Sequence, residues 1–125
     1  MSPKIKVFIV DDSNLMRERL IAVLSQKSDI LIVGQAEGVS GTLDRIVETQ
    51  PHYVFLDIRI KDGNGMQLLQ KIKQWPDPPI VVMLTNFPHP EYQKRCFELG
   101  ADFFFDKSSE FNDVVAVLYR EDQNA

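Results

Sequence analysis

The feature that most constrains this 125-residue chain is a series of five short, near-continuous apolar runs: Ile5–Val10, Ile30–Val33, Tyr53–Leu56, Ile80–Leu84 and Phe103–Phe105. Continuous rather than alternating hydrophobicity suits strands buried on both faces. Between the runs the apolar spacing changes to the period of a helix. Met16, Leu20, Val23 and Leu24 form one stripe after the first run. Leu43, Ile46 and Val47 form another in a helix of about residues 40–49 that stops before Pro51, and Leu68, Leu69 and Ile72 a third over about residues 65–74, ended by Pro76, Pro78 and Pro79. A fourth, shorter helix has Pro90 where a first helical position tolerates it and Gly100 to end it, with Tyr92, Cys96 and Leu99 facing inward. Phe111, Val114, Val115 and Leu118 mark a fifth. Strand and helix alternating through short connections predict an α/β fold, a doubly wound parallel sheet with helices on both faces.

Composition bounds the rest. With 44% hydrophobic residues in 125, the chain can build one sizeable core and has no room for a second domain. The net charge is -4, and Lys and Arg are spread among acids rather than clustered, which argues against direct nucleic-acid binding. The single cysteine, Cys96, cannot form an internal disulfide, and the opening Met-Ser-Pro-Lys has no apolar core of a secretion signal. No run approaches the ~18 apolar residues of a membrane span, so membrane insertion is not expected and a cytoplasmic location is.

Residues with chemistry collect at one edge of such a sheet. Asp11 and Asp12 follow the first strand, Asp57 ends the third, Thr85 ends the fourth and Lys107 ends the fifth. Ligands of open α/β sheets bind beyond the carboxyl ends of the strands, at the topological switch point. Taken singly, each residue has a plain role. Asp12 and Ser13 can cap the helix beginning near Asn14, Asp57 can be a strand-end turn residue, Thr85 a β-branched strand residue and Lys107 a solvated lysine. Together they suggest an acidic site for phosphate and metal. His52 and His89 lack a second His or Cys at ligand spacing and read as loop or strand-edge residues. Cys96 reads as core, and Trp75 as a cover for the end of the third helix.

The ordered set Val-Asp-Asp-Ser (10–13), Leu-Asp-Ile-Arg (56–59), Gly65, Leu-Thr-Asn (84–86), Gly-Ala-Asp (100–102) and Asp-Lys-Ser (106–108) resembles the CheY-like receiver domains of two-component response regulators. The resemblance covers about residues 4–120 as a single receiver domain. It implies a flavodoxin-like strand order of 2-1-3-4-5. It also implies that Asp57 is a phosphoacceptor nucleophile, taking a phosphoryl group from a sensor histidine kinase or phosphotransfer protein. Mg2+ would be held by Asp12, Asp57 and the backbone carbonyl of Arg59, with Asp11 reaching it through water. Thr85 and Lys107 would receive the phosphoryl oxygens, and Phe104 would be a switch residue. The output surface would be helix four, strand five and helix five, including Phe104, Tyr92 and Tyr119, meeting a downstream effector or a second copy. The protein would be a switch catalysing only its own phosphorylation and dephosphorylation.

This chain departs from the commonest pattern in places. Lys61 stands where a proline often follows the phosphoacceptor, predicting a more flexible loop, rich in turn formers, over residues 61–65. Ser108 replaces a proline after the lysine, which removes any cis Lys-Pro bond. Asn86 is larger than the usual Ala or Gly and, with Arg59 and Phe87 flanking the pocket, predicts slow loss of phosphate. Phe104 lacks the hydroxyl of the commoner Tyr, so its rotation would be driven by packing alone. Lys-Ser-Ser-Glu-Phe (107–111) resembles receivers of the NarL type, which exist both alone and attached to DNA-binding domains. The receiver of a longer DNA-binding regulator is therefore one alternative. Another is a phosphohydrolase of the haloacid dehalogenase type, although Arg59 stands where those enzymes carry an acid.

Overall fold

The structure, a computed structural model, describes residues 4–86, 88–108, 113–114 and 116–118. The elements run β1 (Ile5–Val10), α1 (Asn14–Leu24), β2 (Ile30–Ala36), α2 (Thr42–Thr49), β3 (Tyr53–Leu56), α3 (Gly65–Ile72), β4 (Ile80–Thr85), α4 (Pro90–Glu98) and β5 (Phe103–Asp106). Residues 113, 114 and 116–118 are helical. The five strands form one parallel sheet in the order β2-β1-β3-β4-β5, as the resemblance implies.

Side chains of successive strand residues point to opposite faces, and the core divides accordingly. Phe8, Val10, Val54, Leu56, Val81 and Met83 pack with Ile46 of α2, Leu68, Leu69 and Ile72 of α3 and Cys96 of α4. Val7, Ile9, Tyr53, Phe55, Val82 and Leu84 pack on the other face with Leu20 and Leu24 of α1 and with Val114, Val117 and Leu118. Burial on both faces explains why these strands read as continuous apolar runs.

Several boundaries differ from the sequence expectation. β2 continues past Val33 to Ala36, because a bulge opposite Val7/Phe8 lets Gly34, Gln35 and Ala36 go on pairing with β1. A Cβ at residue 34 would lie 2.5 Å from the Phe8 ring, so glycine allows that ring to lie over the edge strand. β4 and β5 each run one residue further than their apolar runs, ending at Thr85 and Asp106, which pair with each other. α2 starts at Thr42 rather than near Ser40, after Gly41 at φ 73°, and α3 stops at Ile72. Val47, expected on the inner stripe of α2, is 56% exposed, since Leu43 and Ile46 already meet the sheet. Ser13 does cap α1, its hydroxyl accepting from the Met16 amide at 3.2 Å. Phe87, Phe111, Val115 and Tyr119 lie outside the described residues.

The loop after β3 is more tightly built than a proline-free run of turn formers suggests. Arg59–Ile60 pairs antiparallel with Gly63–Asn64. The Lys61 amide donates to the Glu37 carbonyl (3.0 Å) and the Lys61 carbonyl accepts from the Val39 amide (3.2 Å). A proline at residue 61 could not make the first of these bonds. Lys61 thus clamps this loop to the one between β2 and α2, and Asp62 closes the turn at φ 56° while its carboxylate accepts from Val39 (2.7 Å).

Candidate functional site

β1 has β2 on one side and β3 on the other, so the strand order reverses at the carboxyl ends of β1 and β3 and leaves a crevice there. The ladders run on into it. The Asp11 amide donates to Ala36 (3.0 Å) and the Asp57 amide to Val10 (3.0 Å), which sets both acids directly beyond their strands. On the far side the Lys107 amide donates to the Thr85 carbonyl (2.9 Å), extending the β4/β5 pairing by one step. Sheet geometry alone therefore brings four residues of distant sequence to one edge.

Among the described residues, the buried polar or charged side chains are Asp11, Asp57, Thr85, Lys107 and Thr42. Thr42 donates its hydroxyl to Gly38 (2.6 Å) and serves α2. The other four all stand at the crevice. Lys107 Nζ bridges two carboxylates, meeting Asp57 Oδ2 at 2.7 Å and also Asp11 Oδ2. Asp57 Oδ1 is buried and has no hydrogen-bond partner. Buried polar atoms nearly always have partners, so this oxygen is an exception among the described residues.

Burial lifts the Asp57 carboxyl above its usual range, and the charge of Asp11 adds to the lift, against the lowering pull of Lys107 and the Ile58 backbone. For Lys107, burial acts to lower the ammonium, but its hydrogen bonds and charge interactions with Asp11 and Asp57 outweigh that and the net shift is upward. The pocket thus holds a firmly protonated lysine beside more carboxylate than it can neutralise.

Asp12 is exposed, yet one oxygen from each of Asp11, Asp12 and Asp57 lies within 4.8 Å of the others. This all-oxygen set, with an unpartnered acceptor among its members, fits a hard divalent cation of the Mg2+ class. Arg59 follows by two residues at the start of the ribbon, opposite Asn64, with its side chain exposed. Gly65 is required here. A Cβ at that residue would lie 1.9 Å from the Asp57 carbonyl oxygen, so only glycine lets α3 begin against the backbone of that acid. Asn64 caps this helix, accepting from Met66 (2.7 Å) while Gln67 accepts from the Asn64 amide (3.0 Å).

Phe104 is half-buried, its ring tilted against Phe97 of α4 at 6.4 Å. Tyr92 is half-buried on α4, edge-on to His89. His52 accepts from the Lys6 amide through Nδ1 (2.9 Å), in keeping with a strand-edge role. Sequence reasoning did not single out Arg17, whose guanidinium holds the Asp11 carbonyl, or Gln35, whose side chain accepts from Arg17. Its available signal was a basic residue in the first turn of a helix, where the backbone dipole favours acids.

The chain matches the family model of the response regulator receiver domain over residues 7–119. It is 31% identical over 114 residues to the sensory transduction protein LytT of Bacillus cereus, covering 91% of this chain and 46% of that protein. It is 31% identical over 127 aligned residues to the transcriptional regulatory protein LytR of Staphylococcus aureus, covering 96% and 51% respectively. The chain thus spans about half the length of these relatives. The signal receiver domain of the response regulator NarL from Mycobacterium tuberculosis has the same fold, with a TM-score of 0.89 at 23% identity, over 99% of this chain and 100% of that one. No helix among the described residues is long and apolar enough to cross a membrane.

Proposed function

This chain belongs to the response-regulator receiver family of two-component signalling, and from that premise we propose that it is a phosphoacceptor switch charged on Asp57. The observation that carries the reading is the buried Asp57 carboxylate, with one oxygen held by Lys107 at 2.7 Å and the other unpartnered. The donor is a phosphohistidine on a sensor kinase or phosphotransfer protein. A carboxylate oxygen of Asp57 attacks phosphorus, an O–P bond forms as the P–N bond breaks, and the departing imidazole keeps the electron pair. Such transfers are accelerated by positioning and by charge around the phosphoryl oxygens. Lys107 supplies a compact ammonium for one of them, and the Thr85 hydroxyl donates to another once Asp57 is modified. Asp12, Asp57 and the Arg59 carbonyl, with Asp11 through water, would hold Mg2+, which when bound offsets the carboxylates and the incoming phosphoryl charge.

Phosphorylation moves Thr85 and Lys107 toward the new group and so biases the face formed by α4, β5 and the following helix, including Tyr92 and Phe104. Phe104 rests on Phe97 and has no hydroxyl, so it responds through packing. That face meets the downstream effector or a second copy. The match to LytR, a transcriptional regulatory protein about twice as long, favours a second reading in which this receiver is part of a transcription regulator. In either case the domain works as a switch and turns over no separate substrate. Incubation with Mg2+ and radiolabelled acetyl phosphate or a phosphorylated kinase should label the wild type. Asp57→Asn should abolish the label, and undiminished labelling of that variant would overturn the assignment. Sustained hydrolysis of a phosphate monoester would point instead to a phosphohydrolase.

A further inference from the structure

Arg17 lies in the first turn of α1, next to the positive end of the helix, where a cation is disfavoured. Its side chain folds back out of the helix. Nε donates to Gln35 Oε1 on β2 at 2.9 Å, Nη1 donates to the backbone carbonyl of Asp11, and Nη2 donates to Asn14 Oδ1. The remaining groups of Asp11 are also held. Its amide donates to Ala36 (3.0 Å), Oδ1 accepts from the Ser13 amide (2.9 Å) and Oδ2 meets Lys107.

We propose that Arg17 is a positioning residue of the acidic site: its guanidinium, anchored on Gln35, fixes the plane of the Asp11–Asp12 peptide and thereby aims the Asp12 carboxylate at the cation. The proposal rests on reading the acidic cluster as a Mg2+ site. Asp12 is exposed, so its direction depends on the backbone that carries it. That backbone leaves β1 at Asp11, one residue earlier, and the bond following the last sheet hydrogen bond is the one Arg17 grips. A planar fork can hold a carbonyl and an amide oxygen at once; a lysine ammonium cannot keep that geometry. Groups that orient metal ligands typically change metal affinity 10–100-fold when removed.

Mg2+ binding to the full chain, measured by calorimetric titration at a temperature where circular dichroism shows every variant folded, tests this. Arg17→Met should weaken binding by roughly 10-fold or more. Arg17→Lys should be weakened nearly as much, Gln35→Leu should be intermediate, and the Arg17→Met/Gln35→Leu double variant should be no worse than Arg17→Met alone. Arg17→Lys carries the test if Arg17→Met does not fold. Unchanged affinity in these variants would overturn the proposal, as would the tighter binding expected if the guanidinium merely repelled the cation. Loss of binding in Asp12→Asn with full binding in Arg17→Met would overturn the role of Arg17 alone. A wild-type protein that takes no Mg2+ would overturn the cation site and this inference together.

Discussion

Replacing Asp57 by asparagine should make the metal-free protein more stable, although it removes a hydrogen-bonded buried side chain. The crevice buries two carboxylates, Asp11 and Asp57, against the one ammonium of Lys107. Asparagine keeps the shape and an oxygen for Lys107, while Lys107 keeps its ion pair with Asp11. What disappears is the desolvated negative charge; the amide Nδ2 takes the unpartnered place of Oδ1, so the orphaned group that remains is neutral. A buried group without a partner costs about 1–3 kcal/mol and more when it is charged, so exchanging a charged orphan for a neutral one is a net gain. A gain of about 2 kcal/mol corresponds to a rise in Tm of roughly 6–10 °C for a chain of this size. The sign follows from the raised carboxyl: the folded state holds the proton more tightly than the unfolded chain. The stabilisation this gives is complete below the ordinary carboxyl range and is lost as the pH rises through the raised pKa. The advantage of Asp57→Asn should therefore shrink as the pH is lowered through that pKa. Mg2+ should narrow it too, because a ligand at 100 times its Kd adds about 2.7 kcal/mol to the form that binds it, and an amide is the poorer ligand. Urea unfolding at neutral pH with EDTA, with m-values compared, is the assay. An Asp57→Asn protein no more stable than the wild type would show that the buried negative charge carries no such cost.

Other substitutions test the rest of the arrangement. Lys107→Met leaves Asp11 and Asp57 buried without their cation and should cost about 3–5 kcal/mol in EDTA, part of it restored by Mg2+; a loss under 1 kcal/mol in the same urea assay would contradict the ion-pair account. Lys61→Pro removes the 3.0 Å bond to Glu37, so it should cost about 1 kcal/mol and speed hydrogen exchange at the Val39 amide, and unchanged exchange would show that the clamp is idle. Cys96 is fully buried and its thiol is pushed up to about 11 by burial. At pH 8 it should react with a thiol reagent only through unfolding, at a rate that rises with urea; rapid labelling of the native protein would argue against its place on the inner face of α4.

The alternation of strands and helices was legible in the sequence because burial on both faces of a parallel sheet demands continuous apolar runs, a signal local to each run. For the same reason Asp57 and the Asp11-Asp12 pair could be placed at strand ends. The extension of β2 was not legible, since Gly34, Gln35 and Ala36 join the sheet through a bulge opposite Phe8 and not through hydrophobicity. Nor was Val47, whose exposure depends on how α2 rolls onto the sheet.

The sequence by itself determined the class of fold and the kinds of group available to the crevice: acids, a hydroxyl and a lysine at the ends of four strands. Only the tertiary structure decided how they meet. That Lys107 bridges Asp11 and Asp57, that Asp57 Oδ1 is left without a partner, that Arg17 reaches across to Gln35 and that Lys61 clamps two loops all depend on strand order and side-chain direction. Those arise from packing among residues far apart in the chain, and no local period records them.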